Sequence, residues 1–75
     1  MHHRYDKSNI PIELLRTLVA ISDSGSFTKA ADALGLSQSA VSLQIKRLER
    51  LVAGELFRKA GSGHRLTERG EMVAG

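Results

Sequence analysis

The chain has 75 residues, no cysteine and a formal charge of +3 at pH 7. This length supports one domain with a thin hydrophobic core, and neither disulfides nor a cysteine-ligated metal can reinforce it. No apolar run approaches the ~20 residues of a membrane-spanning helix, and Met1-His2-His3-Arg4-Tyr5-Asp6 lacks the apolar segment of a secretory signal. These features suit a cytoplasmic protein.

The positive charge is unevenly placed. Residues 1–45 carry Arg4, Lys7, Arg16 and Lys29 against Asp6, Glu13, Asp23 and Asp32. Residues 46–69 carry Lys46, Arg47, Arg50, Arg58, Lys59, Arg65 and Arg69 against only Glu49, Glu55 and Glu68. A basic surface confined to one half suggests an anionic partner, most commonly nucleic acid. A plain solvated surface is the alternative.

Residues 1–9 read as a flexible tail or tag remnant outside the fold, and His2 and His3 have no ligand partners at metal-binding spacing. Pro11 suits the first turn of a helix, where its missing N–H costs nothing. Leu14, Leu15, Leu18, Val19 and Ile21 follow at spacings expected for one apolar face. Ser24-Gly25 should end this helix in a left-handed glycine. Ser26 should cap a second helix, with Phe27, Ala30, Ala31 and Leu34 as its core stripe and Gly35 as its stop.

Ser37 should cap a third helix running to about Val52. Val41, Ile45, Leu48 and Val52 share one face, while Ser39, Ser42, Leu43, Lys46 and Arg50 share the other. Lys46 and Arg50 are like charges one turn apart, a penalty that a nearby phosphate would remove. Glu55–Lys59 and Arg65–Thr67 flank a glycine-rich turn, Ala60-Gly61-Ser62-Gly63-His64, and predict a short hairpin with Arg58, Lys59 and Arg65 on its flanks. Thr67 followed by Glu68 marks a last helix start that runs to Gly75.

Ala31, Gly35 and Val41 supply the small residue, turn glycine and apolar anchor of two closely crossing helices. A helix-turn-helix with a polar outer face can lay its second helix in the major groove of DNA. An ordinary pair of core helices is the competing reading.

From about Ile12 to Glu71 the chain also resembles the N-terminal DNA-binding domain of LysR-type transcriptional regulators. The resemblance rests on Ser26-Phe27-Thr28, Ala30-Ala31 and Leu34; on Ser37-Gln38-Ser39-Ala40-Val41-Ser42, Gln44-Ile45 and Leu48-Glu49; and on Leu56-Phe57-Arg58, Arg65-Leu66-Thr67 and Gly70. It implies a mainly α winged helix-turn-helix: three helices, a two-stranded β wing and the start of a linker helix. Residues 10–66 would form the DNA-binding domain, and residues 67–75 the beginning of the linker and dimerisation helix.

The resemblance further implies double-stranded DNA as partner, homodimers or higher oligomers in the full-length protein, and a small-molecule effector bound by a domain outside this chain. The base-reading glutamine of the family maps onto Gln38, with Ser39 and Ser42 following on the groove side. Ser26 and Thr28 would bond phosphates, and Lys46, Arg50, Arg58 and Arg65 would neutralise them. His64 falls at the predicted wing tip, where DNA contact is one reading.

Two departures stand out. Leu43 occupies a position where many members have arginine, and it could touch only a thymine methyl or lie on the surface. Val52-Ala53-Gly54 places the helix-ending glycine one residue late, so the approach to the wing is expected to differ.

No serine has a histidine and an acid placed to activate it, so catalysis is not expected. Neither a metal nor a cofactor is expected. Glu49 reads as a structural partner for a nearby arginine. Phe27 and Phe57 are needed in the core, which leaves little for stacking single-stranded bases. The rival function is a winged-helix module for protein interaction or dimerisation.

Overall fold

The computed structural model describes residues 9–75, and its elements run α1–α2–α3–β1–β2–α4. The expectations for residues 1–8 therefore lie outside the described residues.

Helix α1 spans Ile12–Ser24 and starts one residue after Pro11, whose carbonyl accepts from the Leu14 N–H at 3.0 Å. It stops at Gly25, with φ +72°. Its inward face is Leu14, Thr17, Leu18 and Ile21. Val19, expected in the core, is exposed, and Thr17 is buried in its place. The helical rotation of about 100° per residue explains the exchange: Thr17 falls within about 60° of both Leu14 and Ile21, whereas Val19 turns about 140° or more away from them.

Helix α2 spans Phe27–Leu34, and the Ser26 hydroxyl caps it by accepting from the Lys29 N–H. Ala30 and Ala31 are buried, while Phe27 and Leu34 are half-buried at the margin. Gly35, with φ +69°, turns the chain. Helix α3 spans Gln38–Val52, capped by Ser37, and buries Val41, Ile45, Leu48 and Val52 as their spacing predicts. Thr17 joins α1 to α3: its hydroxyl lies 3.0 Å from the Glu13 carbonyl and also meets Gln44 Oε1.

The wing follows. Strand β1 (Phe57–Ala60) pairs antiparallel with β2 (Gly63–Leu66), from Phe57↔Leu66 to Ala60↔Gly63. The connection is therefore only Gly61-Ser62, shorter than the expected turn. Gly61 has φ +62° and Ser62 does not share a positive φ, the pattern of a turn matched to the twist of adjacent strands. Leu56, Phe57 and Val73 complete the core contributed by the three helices.

Helix α4 spans Glu68–Ala74, and Thr67 caps it by accepting from the Gly70 N–H. Gly70 lies against the Leu56 carbonyl, which a Cβ there would approach to 2.4 Å. This glycine lets α4 seat Val73 in the core.

Candidate nucleic-acid interface

The surface begins at two helix starts. Ser37 Oγ accepts from the Ala40 N–H at 3.1 Å and fixes the first turn of α3. Gln38, Ser39, Ser42, Leu43 and Lys46 then line one open depression. All are exposed except the half-buried Ser42, and they face away from Val41, Ile45 and Leu48. The residues predicted for the groove side thus share one surface, with Leu43 half exposed at 53%.

Arg50 is not gathered with them. It lies twelve residues beyond Gln38, roughly 18 Å along the helix axis at 1.5 Å per residue. There it lines a separate depression with Pro11, Glu13, Gln44, Arg47 and Leu51.

At the start of α2, Ser26 Oγ accepts from the Lys29 N–H at 3.1 Å, and the Ser26 N–H donates to Ser24 Oγ at 3.2 Å. The Thr28 hydroxyl donates to Gln38 Oε1 at 3.2 Å, linking the starts of α2 and α3. The sequence treats these two side chains as separate groups. Only the angle of the α2–α3 turn brings them together.

On the wing, Arg58 and Arg65 are direct cross-strand partners, and both are exposed. Like charges in this arrangement weaken a hairpin. His64 corrects the expectation of a wing-tip residue. It lies within β2 opposite Lys59, and its ring packs on Phe27 with centroids 4.7 Å apart. The His64 backbone N–H donates to the Gly25 carbonyl at 2.9 Å. The short turn leaves the tip to Gly61 and Ser62 and draws His64 onto the body.

The end of α3 contains two supports that the sequence does not reveal. Glu49 Oε2 accepts from the Leu56 N–H at 3.0 Å, so its structural partner is a backbone amide, not the expected arginine. Arg69 donates to the Val52 carbonyl at 2.8 Å, passing over Gly54. Among the described residues no group of three His, Cys, Asp or Glu side chains could hold a metal ion. Among them, too, no helix is long and apolar enough to cross a membrane.

Residues 12–71 match the family described as "Bacterial regulatory helix-turn-helix protein, lysR family". The chain belongs to the LysR family. It is 46% identical over 67 residues to the HTH-type transcriptional regulator PecT of Dickeya dadantii, covering 89% of this chain and 21% of PecT. Among solved structures it is similar to the BenM DNA-binding domain in complex with catB site 1 DNA. That likeness has a TM-score of 0.80 and 32% identity, covering 87% of this chain and 73% of the other. It is also similar to the CbnR DNA-binding domain in its DNA complex, at TM-score 0.80 and 25% identity over 87% of this chain and 75% of the other.

These LysR relatives are transcriptional regulators, not enzymes. The two structural likenesses match the winged helix-turn-helix described above. The chain spans about a fifth of PecT, 21% of its length.

Proposed function

We propose that this chain is the DNA-binding domain of a bacterial LysR-type transcriptional regulator and binds double-stranded DNA with sequence preference. The observation that carries the reading is the exposed polar face of α3, with Gln38, Ser39, Ser42 and Lys46 on one surface. The face is of a size and polarity suited to the major groove. Gln38 offers an amide that can pair with a base edge, and Leu43 adds an apolar contact suited to a thymine methyl. Lys46 meets phosphate beside the groove.

Arg58 and Arg65 place positive charge on the wing, facing the backbone or the minor groove. Ser26 keeps its hydroxyl proton for a phosphate, because its cap uses the oxygen as acceptor. Arg50 serves a more distant phosphate. Thr28 joins the surface through Gln38, and His64 supports the wing. The full-length regulator acts in the cytoplasm as a homodimer or higher oligomer and senses a small molecule through a domain outside this chain.

Selection of bound sites from random duplex DNA, followed by titration with salt, tests the reading. Affinity should fall steeply as salt rises, because phosphate contacts release counterions. Gln38→Ala should cost about 1–3 kcal/mol and relax preference at one base pair. Duplex binding indifferent to salt would favour a winged-helix module for protein interaction instead.

A further inference from the structure

Thr28 in the first turn of α2 and Gln38 at the start of α3 are both exposed, so burial does not hold the glutamine in place. The contact that does so is the 3.2 Å bond from the Thr28 hydroxyl to Oε1. The last torsion of a glutamine is broad and nearly two-fold, so its amide oxygen and nitrogen readily exchange places. That exchange matters to a base reader. In the major groove adenine presents one donor and one acceptor, whereas guanine presents two acceptors. An amide restrained before DNA arrives pairs with adenine at a smaller ordering cost than one that turns freely.

We infer that Thr28 is a positioning residue for Gln38 and restrains its amide beside the start of α2. With one lone pair of Oε1 taken by Thr28, the second lone pair and both N–H groups remain for a base edge. Part of the ordering needed for recognition is then in place before DNA arrives. The inference rests on the reading of α3 as the base-reading helix.

The same bond limits what else Thr28 does. A threonine hydroxyl has one proton, and phosphate oxygens only accept. While its hydroxyl donates to Gln38 it cannot donate to a phosphate, so the positioning role leaves the Thr28 backbone N–H, in the first turn of α2, for that contact. Ser26, two residues earlier, carries no such limit.

The test compares this chain with its Thr28→Val, Thr28→Ser and Gln38→Ala variants on duplexes selected from random DNA and on single-base variants of those duplexes. Valine keeps the branched shape and removes the hydroxyl. Thr28→Val should reduce discrimination about three- to tenfold at the base pair identified by Gln38→Ala, the range of one neutral hydrogen bond. Affinity for unrelated duplexes should stay unchanged, and Thr28→Ser should restore discrimination.

Adding Thr28→Val to Gln38→Ala should cost no further discrimination at that position. If Thr28→Val weakens all duplexes alike, the hydroxyl serves a phosphate and the inference is overturned. Gln38→Ala without effect at any base pair would overturn the base-reading assignment itself, and the positioning role with it. A second measurement needs no DNA. Nitrogen relaxation of the Gln38 side-chain amide should show greater mobility in Thr28→Val and return to the parent value in Thr28→Ser. An unchanged amide in Thr28→Val overturns the inference even where the base-reading assignment stands.

Discussion

Ala53 carries a backbone cost that a glycine would remove. It ends α3 with φ +56° and is the non-glycine residue in the left-handed region among those described. Its Cβ crowds the neighbouring carbonyl there, at about 1–2 kcal/mol. Glycine returns part of that gain through its greater freedom in the unfolded chain. Ala53→Gly should therefore stabilise the domain by about 0.5–1 kcal/mol, read as a higher urea midpoint at unchanged slope. A lower midpoint would mean that the alanine methyl contributes packing worth more than the strain.

The neighbouring glycine has a different task. A Cβ on Gly54 would stand 2.2 Å from Arg69 Cδ, so this glycine admits the side chain that bonds the Val52 carbonyl. The displaced glycine is visible in the order Val-Ala-Gly. Its purpose is not, because Arg69 lies 17 residues beyond the carbonyl it reaches.

The wing is held to the helices by backbone approach as well as by side-chain packing. A Cβ on Gly63 would lie 2.5 Å from the Gly25 carbonyl, the same oxygen that accepts the His64 N–H. Gly63→Ala should push β2 outward and destabilise the domain by about 1–3 kcal/mol through overpacking. The His64 amide should then exchange with solvent faster than the amides of α3, which hydrogen exchange resolves. Equal protection in parent and variant would show that the wing slides without losing its tether.

A ring cluster works at the same junction. Phe27 meets Phe57 edge-on at 5.7 Å and also lies beside His64. The cluster joins the first residue of α2 to both strands. Hairpin location was readable from the glycine-rich turn. Register was not, since a four-residue strand holds too few side chains to specify which residue the turn leaves at the tip.

Across the whole molecule, the basic residues of 46–65 are divided between two surfaces, α3 and the wing, while Arg69 bonds the Val52 carbonyl from α4. Arg58 and Arg65 face one another across the hairpin, an arrangement that weakens the isolated wing. A phosphate would reverse the sign of that interaction. Arg58→Ala or Arg65→Ala should therefore weaken binding to all duplexes alike and flatten the salt dependence by about 0.9 in log–log slope for each phosphate no longer neutralised. The same changes should leave the free domain equally stable or more stable by roughly 0.2–1 kcal/mol. Loss of stability together with affinity would assign these arginines to the fold.

Helix starts at Ser26, Ser37 and Thr67, helix stops at Gly25 and Gly35, and the core face of α3 could all be read from the residues. Caps, left-handed stops and helical periodicity act within one or two turns, so their chemistry is complete in a short stretch of chain. The shared outer face of Gln38, Ser39, Ser42, Leu43 and Lys46 was readable for the same reason, whereas Arg50 lies apart from it. Thr28 on Gln38, Glu49 on the Leu56 amide, Gly63 on the Gly25 carbonyl and the inward place of His64 were not. Each depends on how closely two separate elements approach, and that distance exists only once the helices have crossed and the wing has docked.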